Sequence, residues 1–216
     1  MSGIFGQRRR SWGTFSRKFD ELLQLKSDLW GFVQGGNGKM KYRKTEASAA
    51  GFRIGIVAAK FNKEVTSKLL NACVDTLTAY GVRKENMHVM RVPGAFEIPL
   101  VARAMAQSGR FNAVICLGAV IRGDTPHFEY ISAEVSRGIG QAALDTDVPI
   151  IFGVLTTETV AQAVERADTK KFNRGGEAAK SAIEMVMVMR QVNRIRRKSD
   201  AETSVAPRPA ARRLGN

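Results

Sequence analysis

The amino-acid sequence predicts an α/β fold in which helices cover both faces of a parallel sheet. Short apolar segments alternate with amphipathic helical segments over residues 52–195, and this alternation is typical of a parallel sheet with helical crossovers. Most of the strand segments are also nearly continuous apolar runs, as expected of strands that are buried on both faces. Together these observations predict a layer of strands between two layers of helices.

The predicted elements occupy the chain in a regular order. Four strands are expected, at residues 53–59, 87–92, 113–119 and 149–155. Five helices are expected, at residues 63–80, 97–107, 127–146, 159–167 and 176–195. Gly81 directly follows the first helix, at the position where a left-handed residue commonly ends a helix. Because crossovers between parallel strands are right-handed, these elements give a flavodoxin-like three-layer sandwich with a four-stranded parallel sheet.

Composition divides the chain into three parts. The net charge of +14 comes mostly from the two ends, since residues 1–50 hold ten Lys and Arg against four Asp and Glu, and residues 191–216 hold seven against two. We therefore predict a basic N-terminal extension over residues 1–50, an α/β domain over residues 51–192 and a disordered basic tail over residues 193–216.

The N-terminal extension is consistent with several functions. Residues 12–33 have the apolar spacing of an amphipathic helix, which would dock on the main domain, on a partner or on a membrane surface; docking on the domain is favoured. Residues 35–38 are rich in Gly and are expected to form a linker. The extension is Arg-rich at its start, as organelle transit peptides are, but Asp20, Glu21 and Asp28 interrupt that pattern. We therefore expect a cytoplasmic protein, with organelle targeting left open.

Other features exclude several classes of protein. No stretch approaches the roughly twenty consecutive apolar residues of a membrane span. The two cysteines, Cys73 and Cys116, lie in apolar segments and are expected to be reduced core thiols, which also favours the cytoplasm. A basic tail attracts any polyanion, so the charge does not predict dedicated nucleic-acid binding. The sequence has no Walker loop, no dinucleotide fingerprint, no metal-ligand cluster and no nucleophile elbow, which argues against nucleotide- or metal-dependent chemistry.

Ligands of doubly wound folds bind beyond the carboxyl ends of the strands, and the loop after the third strand is the most informative. Residues 118–130 follow a strand, contain Gly123 and open a helix near His127. The free N–H groups of such a helix start, with the hydroxyl of Thr125, could bind an anion. His127 could then act as acid and base near neutral pH. Alternatively, Asp124 or Thr125 only caps the helix and His127 is a solvated first-turn residue.

Residues near other strand ends are further candidates. Phe61 lies in a polar loop just past the first strand, where an aromatic ring could stack on a planar ligand. Glu97 could cap its helix or accept hydrogen bonds from the hydroxyls of a ligand. Arg166 follows the fourth strand, and its guanidinium would suit a phosphate. His88 is expected to be structural, and core packing is the default for Phe152.

Five segments of the chain resemble one known family. They lie in the order of that family and on the predicted loops, at residues 59–62 (AKFN), 92–99 (VPGAFEIP), 118–127 (GAVIRGDTPH), 152–156 (FGVLT) and 173–175 (NRG). Residues 52–190 thereby resemble the 6,7-dimethyl-8-ribityllumazine synthases, transferases of riboflavin biosynthesis. One such segment alone would be weak evidence for the family, whereas five segments in the same order are highly specific to it.

The resemblance implies a reaction and a set of site residues. The enzyme would condense 5-amino-6-(D-ribitylamino)uracil with 3,4-dihydroxy-2-butanone 4-phosphate, releasing phosphate and two waters without a cofactor. His127 would be the catalytic residue and would move protons during imine formation and phosphate loss. The phosphate would be held by Asp124, through its backbone N–H, and by Thr125 and Arg166. The ribitylaminouracil would be bound by Phe61, Ala95, Phe96, Glu97, Ala119, Val120, Ile121 and Phe152.

The resemblance also implies an assembly. Family members form pentamers with sites at subunit interfaces, where Phe152 would come from the neighbouring subunit, and some assemble twelve pentamers into a shell of 60 subunits. The chain has no insertion between Arg166 and Asn173, which favours a shell, whereas the long N-terminus would oppose it. Riboflavin synthase would be a protein partner. Arg174 stands where many relatives have Lys, and neither end of the chain has a counterpart in the family pattern.

Two other functions are consistent with the same fold. The protein could bind lumazine or flavin-like ligands without catalysis, although the presence of both His127 and Arg166 opposes this. It could also be a structural shell whose basic tails recruit acidic cargo or nucleic acid. Salt-sensitive co-purification of RNA that is lost on deletion of residues 196–216 would favour that function.

Overall fold

The computed structural model describes residues 33–34, 40–41 and 49–204. The chain separates into two compact units, Met1–Ala47 and Ser48–Asn216. The described part of the first unit is an antiparallel ladder between β1 (Val33–Gln34) and β2 (Met40–Lys41). The predicted amphipathic helix lies outside the described residues except for Val33, which is in β1. The Gly-rich linker and residues 205–216 also lie outside them, and the domain boundaries stay a prediction.

The second unit is built on a parallel sheet of four strands. The strands are β3 (Ile54–Ala59), β4 (Met87–Val92), β5 (Ala113–Ile121) and β6 (Ile150–Thr157). Their order is β4-β3-β5-β6, and every neighbouring pair is parallel. The register places Ile56 of β3 between Val89 of β4 and Ile115 of β5. The predicted four-stranded parallel sheet is confirmed.

Burial differs between the central and the outer strands. Every residue of β3 is buried, and so is every residue of β5 except Ile121. In contrast, β4 exposes Val89 and Met90, and β6 exposes Phe152. The expectation that all four strands are buried on both faces is therefore correct only for the central pair, because an outer strand has a neighbour on one side alone. The default of core packing for Phe152 is wrong in this chain, since its side chain is 44% exposed.

Helices cover both faces of the sheet. They are α1 (Lys63–Ala79), α2 (Ile98–Gln107), α3 (His127–Thr146), α4 (Val160–Ala167) and α5 (Arg174–Ser204). One apolar cluster joins α1, α4 and α5 to one face of the sheet, through buried residues such as Leu69 and Ile183. A second cluster joins α2 and α3 to the other face, through residues such as Ile98 and Ile139. The three-layer sandwich is confirmed.

Element boundaries differ from the predictions at a few ends. The strands β5 and β6 both run two residues further than predicted, because Val120 and Ile121 still pair with Thr156 and Thr157. The last helix starts two residues before the predicted Gly176 and continues to Ser204, into the segment predicted as a tail. Among the described residues, no helix is long and apolar enough to span a membrane.

The end of α1 follows the predicted glycine signal. Gly81 has a φ of 87°, and its N–H donates to the carbonyl of Thr78. A residue with a Cβ rarely adopts this conformation. The turn then brings Val82 into the core, where its N–H donates to the Leu77 carbonyl.

Candidate functional site

The loops after β3 and β4 are joined at the carboxyl edge of the sheet. The N–H of Lys60 donates to the Val92 carbonyl at 2.8 Å, and the N–H of Phe61 donates to the Pro93 carbonyl at 3.0 Å. These bonds fix the backbone of Phe61 while leaving its ring 71% exposed. A fixed aromatic residue with an exposed ring is suited to stacking on a planar ligand.

Asn62 connects the same loop to β5. Its backbone has a φ of 53°, in the left-handed region that Asn tolerates better than most residues. Its amide Nδ2 donates to the carbonyl of Ala119 at 2.8 Å. The sequence reasoning gave Asn62 no role of its own. The available signal was an Asn at the start of a helix and directly after a strand, where the backbone has to change direction.

Backbone groups of β5 project beyond the neighbouring strand. The pairing of β3 with β5 ends at Leu117, whereas β5 continues to Ile121 alongside β6. The N–H of Arg122 donates to Thr157 of β6, and the Ala119 carbonyl accepts from Asn62 on the opposite side. Because the backbone groups of alternate residues point to the same side of a strand, those of Ile121 also face the side that β3 no longer covers.

Three predicted residues follow β4. Ala95 is buried, Phe96 is 56% exposed, and Glu97 immediately precedes α2. The Oε2 atom of Glu97 accepts from the N–H of Gly94 at 2.8 Å, which closes the turn before the helix. Of the two predicted roles for Glu97, a local turn-closing contact is therefore seen. A carboxylate has two oxygens and several acceptor positions, so contact with a ligand hydroxyl is compatible with this bond.

The loop after β5 is exposed and leads directly into α3. Asp124, Thr125 and His127 are all exposed, and α3 begins at His127 after Pro126. Among the described residues, neither Asp124 nor Thr125 makes a side-chain hydrogen bond that caps this helix. The alternative in which one of them only caps the helix is therefore not what the geometry supports. The first N–H groups of α3 are available to an anion.

Arg122 ties this loop to its surroundings. Its guanidinium forms ion pairs with Glu129 in the first turn of α3 and with Glu158 just after β6. It also lies over the ring of Phe128, with 4.3 Å between Cζ and the ring centroid. Hydrogen bonds to Glu129 and Glu158 raise the pKa of Arg122, and the bond from Arg122 lowers the pKa of Glu129. The sequence reasoning did not single out Arg122, and only its place in the 118–127 segment could have done so.

Phe152 and Arg166 line one cavity of about 360 Å³. It lies between β6, α4 and α5, and its walls are Ile151, Phe152, Gly153, Val154, Leu155, Thr156, Arg166, Arg174, Glu177, Ala178 and Ser181. Arg174 pairs with Glu177 at 2.7 Å, and Nη1 of Arg166 donates to the Gln162 carbonyl at 3.3 Å. Glu177 and Ser181 were not predicted as site residues, because only their spacing of about one and two turns along α5 relates them to Arg174.

The predicted residues thus form two groups within the chain. Phe61, residues 95–97 and residues 119–121 share the carboxyl edge of the sheet, while Phe152 and Arg166 share the cavity beside β6. His127 does not line that cavity. Arg166 lies near the end of α4, seven residues after Thr159, which caps the start of that helix. The distance along the helix axis between the two residues is about 10 Å. Convergence of His127 and Arg166 on one phosphate stays a prediction.

Comparison with known proteins gives a consistent result. Residues 51–190 match the family model described as 6,7-dimethyl-8-ribityllumazine synthase. A curated protein of that name from Syntrophus aciditrophicus (strain SB) is 59% identical over 144 residues. The matched region covers 67% of this chain and 94% of that relative. The family match over residues 51–190 contains every predicted site residue.

Proposed function

The chain belongs to the 6,7-dimethyl-8-ribityllumazine synthase family, and we propose that its active site combines the two groups of residues from neighbouring subunits. It is a transferase of riboflavin biosynthesis with two small-molecule substrates. It condenses 5-amino-6-(D-ribitylamino)uracil with 3,4-dihydroxy-2-butanone 4-phosphate to 6,7-dimethyl-8-ribityllumazine, phosphate and water. The proposal concerns which residues perform this reaction.

The reaction itself sets what the protein has to supply. The amine of the uracil substrate is already a nucleophile and attacks the ketone, water leaves to give an imine, phosphate is eliminated, and ring closure releases a second water. Alignment of two substrates can lower such a barrier by about 7–11 kcal/mol. A single proton shuttle adds a factor of about 10²–10⁴. The site therefore needs a well-shaped platform and one acid–base group.

The carboxyl edge of the sheet is suited to the ribitylaminouracil. We place the pyrimidine against the exposed ring of Phe61, with its polar edge toward residues 119–121, where the backbone groups of Ala119 and Ile121 face the side that β3 leaves open. The ribityl chain then runs past Ala95 and Phe96 to Glu97. Support for this arrangement comes from the shared position of these loops and from the free side of β5.

The loop after β5 is suited to the phosphorylated substrate. The N–H of Asp124, the hydroxyl of Thr125 and the start of α3 bind its phosphate, since unpaired N–H groups at a helix start attract anions. His127, the first residue of α3, is adjacent and moves protons during imine formation and phosphate loss.

Arg166 and Phe152 complete the site from the neighbouring subunit. The observation that carries this proposal is that both residues line one cavity and His127 does not line it. A subunit that supplies Phe152 across an interface would therefore supply Arg166 with it. Closed rings of identical subunits use such head-to-tail interfaces, and we propose a homopentamer on this basis.

Subunit complementation tests the shared site. His127→Ala and Arg166→Met chains are each expected to lose most of their activity, and co-expressed mixtures should contain up to about a quarter of wild-type sites by random pairing and exceed the average of the two chains assayed separately. His127→Ala mixed with Phe61→Ala is the matched control. Its activity should be only the average of the two chains assayed separately, because the proposal takes His127 and Phe61 from the same subunit. Absence of recovery in the first mixture would place the whole site within one chain.

His127 is tested separately by its rate. We expect His127→Ala to lower kcat by about tenfold or more, at the cautious end of the effect of one proton shuttle. Formation of the lumazine is followed by its fluorescence. An unchanged kcat would remove His127 from the mechanism, and the complementation result would still decide whether the site is shared.

Two further proposals concern the whole assembly and its compartment. A native mass of five chains would support the pentamer, sixty would support a shell, and one would exclude both.

We also propose the cytoplasm, on the basis that Cys73 and Cys116 are both buried free thiols. Riboflavin synthase, which acts on the product, is the protein partner to test by co-purification.

A further inference from the structure

Arg122 makes more contacts than its position on an exposed loop requires. It carries an ion pair to α3 through Glu129, an ion pair to the end of β6 through Glu158, and a stacking contact with Phe128. Its own N–H donates to the carbonyl of Thr157 at 2.9 Å. One side chain thus connects two loops that leave adjacent strands.

The loop that follows Arg122 has little other support. Residues 123–126 are exposed, and the described hydrogen bonds that hold them are at the two ends, from Arg122 to Thr157 and from Glu129 to Pro126. Pro126 cannot cap α3 with its side chain. Phe128 packs against the second apolar cluster, and the contacts of Arg122 are what join the first turn of α3 to the end of β6.

We propose that Arg122 is a positioning residue for the reaction, holding the first turn of α3 against the end of β6 so that His127 and the anion-binding N–H groups keep one geometry. This inference rests on the proposed role of that loop. Arg122 itself touches neither phosphate nor proton. Its guanidinium acts through Glu129, which lies two residues after His127 on the same turn.

Magnitudes separate a positioning role from a role in stability. Exposed ion pairs typically contribute about 0.2–1 kcal/mol to folding, so loss of Arg122 should hardly change global stability. A displacement of about 1 Å in a reacting group can lower a rate by about 10²-fold. The proposal therefore predicts a large change in kcat with a small change in stability.

The experiment compares Arg122→Gln with a control on the same helix. Arg137 forms an exposed ion pair with Glu134 within α3. Arg137→Gln therefore removes an ion pair but leaves the contacts between the loops after β5 and β6 in place. We expect Arg122→Gln to lower kcat by at least about tenfold while the urea midpoint and the KM for the uracil substrate stay near wild type. Arg137→Gln should leave all three unchanged. Arg122→Lys keeps the charge but not the forked geometry, and should recover kcat only in part.

A second background identifies what Arg122 positions. In a His127→Ala chain, Arg122→Gln should lower kcat much less than it does in wild type, because the group it positions is already absent. An equal fall in both backgrounds would overturn the proposal, and so would an Arg122→Gln enzyme as active as Arg137→Gln.

Two other results are also decisive. If His127→Ala alone has no effect on kcat, the proposed proton shuttle is wrong. Arg122 would then be tested through the anion-binding N–H groups, by the KM of Arg122→Gln for the phosphorylated substrate. A raised KM would support the positioning role, and an unchanged KM would overturn it. If Arg122→Gln fails to fold, Glu158→Gln removes only the contact to the end of β6. It should then lower kcat at an unchanged urea midpoint, and wild-type kcat in that variant would overturn the proposal.

Discussion

Gly175 is the position at which a single methyl group should do the most damage to this fold. It is the second residue of α5, where that helix passes the backbone of α1. A Cβ built on Gly175 would lie 2.2 Å from the carbonyl oxygen of Leu69 and 2.9 Å from its carbonyl carbon. Leu69 is fully buried in the middle of α1. Backbone cannot rotate away as the end of a side chain can, so Gly175→Ala has to push the two helices apart.

The size of the effect follows from two opposing contributions. Ala is favoured over Gly within a helix by about 1 kcal/mol. Overpacking a core costs about 1–3 kcal/mol and occasionally more, and a contact of 2.2 Å with backbone belongs at the upper end. We therefore expect Gly175→Ala to lower the free energy of unfolding by about 2 kcal/mol or more. Gly140→Ala is the matched control, since Gly140 lies within α3 and its added Cβ would meet nothing within 4 Å.

Urea unfolding at one fixed protein concentration measures both variants, because the proposed assembly would make apparent stability depend on concentration. Gly140→Ala should unfold at the wild-type urea concentration or above it. Gly175→Ala should also bind substrate less well, since the adjacent Arg174 lines the cavity beside β6. A Gly175→Ala midpoint equal to that of Gly140→Ala would refute the inference that these helices are held together by backbone contact.

Three more predictions use other features of the domain. Gly123→Ala adds a Cβ into open space, so it should leave stability within about 1 kcal/mol of wild type. The same Cβ lies in the loop that is proposed to bind the phosphate, so it should raise the KM for the phosphorylated substrate. Phe61→Ala removes a ring that is 71% exposed, so it should not lower the urea midpoint, whereas losing a stacked ring should raise the KM for the uracil substrate about two- to tenfold. Burial raises the pKa of the Cys73 thiol to about 12 from 9.0, so iodoacetamide at pH 8 should label it only after unfolding. Because only the unfolded chain can ionise this thiol as pH rises above 9.0, its burial should make the fold less stable there.

Local patterns predicted the elements of the fold because each element is encoded over a short window. Apolar runs placed β3 and β4 to within one residue, and Gly81 ended α1 where a left-handed residue was expected. Strand exposure was less predictable in β6, whose first residues are as apolar as the central strands. In β4, His88 and Arg91 were a signal of lower burial that was not used. Which strand lies at an edge depends on the order β4-β3-β5-β6, and that order is a property of the whole sheet.

Site residues were predictable where their position alone suggested a role. Phe61 and His127 stand next to strand and helix ends, and both lie there in the structure with exposed side chains. Arg122 and Glu177 were missed because their importance comes from contacts with residues distant in space or one turn away. Glu158, for example, is 36 residues from Arg122 along the chain. No periodicity or spacing in a single sequence encodes such a pair.

Folding and catalysis depend on largely separate residues in this domain, and this separation is what makes the tests interpretable. Residues that hold the layers together, such as Leu69, are fully buried, whereas Phe61, Phe96 and His127 are exposed in the single chain. Exposed residues outside special contacts usually change stability by less than about 0.5 kcal/mol. A loss of activity at those positions therefore cannot be attributed to unfolding. In the proposed function, the substrate and a neighbouring subunit cover the exposed rings of Phe61 and Phe96.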